Sequence, residues 1–298
     1  MSSQSVALEM PRGAKMRGRL KRLGRVARQK PLGAISAVVL LVIILSAIFA
    51  PLVSPHDPLR PYNQQQLTNP SKQFPLGTDG AGRDILSRLI YGARTSLTIS
   101  FTVVGIGIVF GTLYGLVTGY FMGVVDMVGQ RVVDAIQSIP SLVLALAIVA
   151  VLGQSTTNVI IALLLGFWTG TSRIIRGQTL TTKENTYVEA ARAIGCSNIR
   201  VMLRHIAPQV YAPAIIVASV LLGQIILAEA SLSFLGMGTP PPAPSWGRML
   251  DTSTRGYMIQ APLITLWPGV AIVIVVLAFN LLGDALRDIL DPRLRTGG

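Results

Sequence analysis

The chain is poor in the residues from which soluble active sites are built. Its 298 residues include one cysteine and two histidines. The single thiol, Cys196, excludes an intrachain disulfide and any cysteine-cluster metal site, and His56 and His205 are too few for a histidine cluster. Charged residues make up 13% of the chain and aromatic residues 6%, against 51% hydrophobic residues. That balance is too apolar for an ordinary soluble domain and points to a multi-span membrane protein. No G-x-x-x-x-G-K-[ST] stretch occurs, so the chain lacks a phosphate-cradling loop of its own. Serine, aspartate and histidine occur without a nucleophile motif, and no enzymatic activity is expected.

What the chain has instead is hydrophobic length. Six apolar runs lie at about residues 32–53, 96–120, 137–153, 158–176, 210–232 and 263–284, the third of them short. A bilayer core of about 30 Å asks for about 20 such residues per helix, because no backbone polar group can stay unpaired there. Nine Lys/Arg between Arg12 and Lys30 precede the first run, an order like that of a secretory leader. The run exceeds a leader's apolar region, and Pro51 after Ala50 is a poor cleavage context, so it is read as a retained span. The net charge of +13 falls in blocks between the runs, not in one patch, which argues against nucleic acid as a partner. With the amino terminus inside, 19 of the 26 Lys/Arg lie on the inner side. The positive-inside rule then places both termini and the polar segment 188–208 in the cytoplasm. The expected fold is all-α, a polytopic membrane protein of about six transmembrane helices.

The chain divides into a basic cytoplasmic tail (1–31), a first span with its outer loop (32–95), a membrane core (96–285) containing the loop 186–208, and a C-terminal tail (286–298). In the second span Gly107, Gly111, Gly115, Gly119 and Gly123 recur every fourth residue and clear one stripe for close helix packing. In the outer loop Asp79 is placed to cap a helix whose residues Ile85, Leu86, Leu89 and Ile90 share an apolar face, as in a helix lying in the membrane interface. A second outer loop, 233–262, contains "GTPPPAPSWG", which its prolines make stiff and non-helical.

The segment "VEAARAIGCSNIRVMLRHIAP" (188–208) is polar between two apolar runs. Thr186 and Glu189 have capping-box spacing, so a helix is expected from about Tyr187, continued by Ala190, Ala191 and Ala193 and ended by Gly195 in a left-handed conformation. Ser197 is placed to cap a second helix, with Ile199, Met202, Leu203 and Ile206 on one face, Arg200 and Arg204 off it, and Pro208 as its stop. Spacing alone leaves three readings: a DNA-binding helix-turn-helix, an amphipathic loop resting on the inner leaflet, or a docking element for a cytoplasmic protein.

The segment resembles the EAA signature of bacterial ABC-importer permeases, through Glu189, Ala190, Ala191 and Gly195 and the closing Ile206 and Pro208, with Ala207 where that family usually has leucine. "GTDGAGRD" (77–84), "SRLIYGARTSL" (87–97) and "EASLSFLGMG" (229–238) are similar to the C-type subunit of the dipeptide/oligopeptide branch. The resemblance implies that the EAA loop is a coupling helix seated on an ATP-binding subunit. It implies a second permease subunit, two cytoplasmic ATPases that hold ATP and magnesium, an extracytoplasmic binding protein and a peptide cargo, with no cofactor on this chain. Within the family, nickel, glutathione or another small solute is the alternative cargo. From another class the rival is an ion-driven secondary transporter, for which internal repeats or broken midplane helices are expected and none is evident in the sequence. A membrane-tethered DNA-binding regulator is the third. Glu229, the one acidic residue inside a run apart from Asp284 at the edge of the last, is read as an interface group pairing with a neighbouring helix or sister subunit, with cargo contact as the alternative. Gln224 and Asn280 are candidates for interhelical hydrogen bonds.

Overall fold

A computed structural model describes residue 28, residues 30–257 and residues 259–290. Most of both tails, with their basic blocks, lies outside the described residues. The order is α1 (Pro31–Ile48), α2 (Ala50–Val53), α3 (Ile85–Phe121), α4 (Gly123–Gln137), α5 (Ser141–Leu152), α6 (Thr156–Lys183), α7 (Thr186–Ala193), α8 (Asn198–Val201), a π-turn (Met202–Ile206), α9 (Ala207–Phe234), α10 (Trp246–Tyr257) and α11 (Pro262–Leu290). Among the described residues the only β feature is an isolated bridge between Thr78 and Asp84. Four helices and the continuous run 198–234 are long and apolar enough to cross a membrane, and the pair α4 and α5 would make a sixth span. The end of the bundle carrying 184–206 is called lower here, and the end carrying 54–84 and 235–261 upper.

Proline punctuates these elements. The first apolar run is helical to Ile48, breaks at Phe49 and resumes at Ala50, because Pro51 has no N–H and its ring opposes the carbonyl four residues back. The third run is not a single short span. It is the second arm of a helix pair bent by 79° at Ser138–Pro140, where Pro140 disfavours helix at Ile139. A broken helix, absent from the sequence reading, is therefore present.

The expected interfacial helix is instead the first turns of α3, whose 37 residues run about 55 Å. Its cap is Asp84, accepting from Ser87 N at 2.9 Å, and not Asp79. Asp79 folds the preceding loop by accepting from Ala81 N and Arg83 N and facing the Arg83 and Arg88 side chains. Ile85 is buried with Met249 and Ile264 of the upper end, so this part of α3 rests on protein. The boundary expected between residues 95 and 96 thus falls inside one helix.

The α3–α6 pair is the most extensive helix contact of the bundle. A Cβ on Gly111 would stand 2.8 Å from Trp168 O, one on Gly119 3.0 Å from Arg176 O, and one on Gly115 would collide with Ser172 O. Gly107 meets Leu164 at an ordinary 3.4 Å. Gly123 does not belong to the stripe: no atom lies within 4 Å of its Cβ position, and its φ of +55° serves the turn between α3 and α4. Gly115→Leu should therefore push α3 from α6 and lower stability by about 3 kcal/mol or more. Gly105→Leu on an open face of the same helix should leave the thermal midpoint of the purified protein nearly unchanged.

Candidate functional site

The lower end is built on a cluster that joins Leu116 and Tyr120 of α3, Ile175 of α6, Val188 and Ala191 of α7, Val201 of α8, Ile206 of the π-turn and Val210 of α9. Helix α7 begins at Thr186, one residue earlier than the capping box requires. Asn185 takes the cap position without a side-chain bond, and its carbonyl accepts from Val188 N at 2.8 Å. Glu189 sits in the first turn, where a carboxylate favours the helix dipole. Ala190 is exposed and Ala191 buried. The helix ends in a Schellman arrangement: Gly195 N donates to Arg192 O at 2.9 Å and Cys196 N to Ala191 O at 3.0 Å. Gly195 has φ +85° with no atom within 4 Å of its Cβ position, so the requirement for glycine is conformational and not steric. Ser197 stands at the next helix start without a side-chain cap bond.

Pro208 does not stop the second helix. The run continues from Asn198 to Phe234 through the π-turn, where Ala207 N reaches back five residues to Met202 O. A widened turn relieves the clash between a proline ring and the carbonyl one turn earlier. It also changes the face. Val201 and Ile206, five residues apart, are both fully buried, whereas Ile199 is 64% and Leu203 52% exposed. With Ile194, 82% exposed, they form an apolar surface at the tip of the lower end. The expected face of Ile199, Met202, Leu203 and Ile206 is thus split between surface and core.

Contacts that the sequence did not announce tie this tip to the spans. Tyr120 OH donates to Asn198 Oδ1 at 2.8 Å, and Lys183 Nζ donates to Tyr120 O at 2.7 Å. The Arg192 guanidinium lies 5.2 Å from the Tyr120 ring centroid. Arg176 pairs with Asp126, and Arg173 with Asp134, holding α4 against α6. Asp126 and Asp134 are the only acidic residues between Asp84 and Glu184, and that isolation in an apolar stretch was the available signal.

At the upper end Glu229 is fully buried. Its Oε2 accepts from Ser96 Oγ of α3 at 2.9 Å and its Oε1 from Ser233 Oγ at 2.7 Å. Trp246 N approaches Ser96 Oγ at 3.4 Å, and the Trp246 indole donates to Leu89 O at 3.0 Å. Glu229 therefore joins α9 to α3 beneath the upper loop. Among the described residues neither Gln224 nor Asn280 makes an interhelical hydrogen bond: Gln224 is exposed with none, and Asn280 Nδ2 donates to Val276 O of its own helix. His56, Asp84 and Ser87 do meet, but Ser87 Oγ and His56 Nδ1 both face Asp84 Oδ2, so the serine has no imidazole base beside it. Glu229→Gln should keep both serine contacts and the wild-type melting temperature. Glu229→Leu, which strands two buried hydroxyls, should cost about 2 kcal/mol in thermal unfolding of the purified chain.

Comparison with known proteins agrees with this architecture. Residues 85–296 match the family described as "Binding-protein-dependent transport system inner membrane component", and residues 19–75 match the "N-terminal TM domain of oligopeptide transport permease C". The chain is 40% identical over 269 residues to the glutathione transport system permease protein GsiD of Escherichia coli O1:K1 / APEC, covering 90% of this chain and 88% of that protein. It is 39% identical, with the same coverage, to the dipeptide transport system permease protein DppC of Alkalihalophilus pseudofirmus. These matches remove the secondary-transporter and DNA-binding readings, the broken helix notwithstanding. The chain belongs to the binding-protein-dependent inner-membrane permeases of ABC importers, in the C-type branch of the dipeptide/oligopeptide systems.

Proposed function

We infer that the chain forms half of the membrane path of an ATP-driven importer of short peptides, and that residues 186–208 are the surface gripped by a cytoplasmic ATPase. The observation that carries the docking reading is the exposed apolar trio Ile194, Ile199 and Leu203, on a segment that also exposes Arg192, Arg200 and Arg204. Apolar residues gathered at the water-facing tip of a loop suit a surface that a partner covers. The bias of Lys/Arg toward this end supports a cytoplasmic placement of the loop and of both termini. A second permease subunit completes the path, two ATP-binding subunits or domains hold ATP and magnesium, and an extracytoplasmic binding protein delivers the cargo. This chain carries no cofactor. Peptide cargo rests on the dipeptide and glutathione systems for which the relatives are named.

Glu189, Ala190, Ala191 and Gly195 shape the first half of the grip, and Ile206 and Pro208 the junction with α9. Gly195→Val forces a β-branched residue to φ +85°, a strain of about 1–3 kcal/mol in an otherwise open site. It should weaken ATPase co-purification about tenfold, the equivalent of about 1.4 kcal/mol. Peptide uptake should fall with it in proteoliposomes, while membrane insertion and pairing with the sister permease stay unchanged. Gly195→Asn, which tolerates the left-handed region, should restore both. Wild-type docking and uptake by the valine variant would sink the coupling reading.

A further inference from the structure

The upper end holds an open cavity of about 650 Å³ between the end of α2 and the first turns of α3, lined also by Ala243 and Pro244 of the upper loop. His56, Asp57, Tyr91, Arg94 and Thr95 line it. Its volume is within the range of small-ligand sites, about 300–1,000 Å³. Among the described arginines of this end, Arg83 and Arg88 face Asp79, Arg248 faces Asp251, and Arg60 lies over the Tyr62 ring. Arg94, by contrast, is exposed, and has neither a hydrogen bond nor an ion pair among the described residues. Across the same cavity Asp57 spends one oxygen on its own turn, accepting from Leu59 N at 2.8 Å. An unneutralised guanidinium and a carboxylate thus share one space without closing on each other.

The height of the cavity in the bundle narrows the ligand. One wall begins at Pro51, where the first apolar run gives way to the polar segment 54–60; the other is Tyr91–Thr95, just above the second apolar run. Both walls change from apolar to polar at the cavity, as they would at the edge of a bilayer, where tyrosine and arginine are favoured anchors. Beside it Phe49, Leu52 and Val53 are exposed, Leu52 by 82%, and offer apolar surface suited to acyl chains.

We propose that this cavity holds the headgroup of a phospholipid with an amine, its phosphate on Arg94 and its ammonium on Asp57. A guanidinium matches phosphate oxygens in a forked, charge-assisted contact, and a carboxylate at the rim selects against headgroups that carry only negative charge. The inference stands apart from the ATPase, since none of the lining residues belongs to the lower end.

The test is native mass spectrometry of the full transporter in detergent, titrated with phosphatidylethanolamine, phosphatidylglycerol, inorganic phosphate or a dipeptide. Wild type should retain phosphatidylethanolamine in preference to phosphatidylglycerol. Arg94→Ala should weaken retention of phosphatidylethanolamine about tenfold, as expected for one charge-assisted contact. Asp57→Asn, at the exposed rim where folding is not at stake, should abolish the preference between the two lipids while leaving phosphatidylglycerol binding intact. Equal retention by wild type and Arg94→Ala, or an unchanged preference in Asp57→Asn, would overturn the proposal. So would displacement of the lipid by inorganic phosphate, which would mark a free-anion site, or by the dipeptide, which would mark a cargo site.

Discussion

Close backbone contact between α3 and α6 is the constraint on which the rest of the bundle depends. Lipid tails are as apolar as leucine, so burying grease gives helices in a bilayer little reason to associate; tight packing and polar pairing must do it. Gly111, Gly115 and Gly119 permit the approach, with Ser172 O and Arg176 O taking the space that side chains would fill. Because the two helices are locked along this seam, their lower ends are held together, and there Lys183 and Tyr120 meet. The loop 186–206 is thereby attached to a rigid pair and does not hang from one flexible strand. Asp126–Arg176 and Asp134–Arg173 add the bent α4 to the same frame.

From that frame one rod runs the length of the molecule. The 37 residues from Asn198 to Phe234 form a single helical path of about 55 Å, with the exposed apolar tip at one end and Glu229 near the other. The π-turn lets Pro208 lie within this path without ending it. At the far end Glu229, Ser96 and Ser233 fasten α9 to α3, and Ser96 also approaches the backbone of Trp246 in the upper loop. A displacement of the tip therefore has a continuous mechanical route, through α9 and through the Tyr120 contacts, to the elements that face the opposite side of the membrane.

The sequence disclosed the large features and withheld those that depend on distant partners. The apolar runs and the basic blocks gave the spans, and the four-residue glycine period gave the packing stripe except for Gly123, whose turn role is invisible to periodicity. The left-handed Gly195 was readable because the αL cap is a local demand of the backbone. The π-turn was not, since an i, i+3, i+4 pattern assumes an unbroken α-helix, and one wide turn moved Ile199 and Leu203 to the surface. The broken span was hidden because Pro140 marks a boundary without stating the angle across it. The surroundings of Glu229 lay 133 residues away at Ser96, beyond any local rule. What pointed to the family in the sequence was the resemblance of short motifs, not the physics of the spans.

The central claim is that the tip at 194–203 is covered by the ATPase in the working transporter. It is tested most directly by replacing the single native thiol, Cys196→Ser, adding Ile199→Cys, and treating the protein with a membrane-impermeant maleimide. In inverted vesicles carrying only the permease pair the new thiol should react. With the ATPase subunits present it should be protected, and in intact spheroplasts it should not react at all. Reaction from the spheroplast side, or equal labelling with and without the ATPase, would contradict the account.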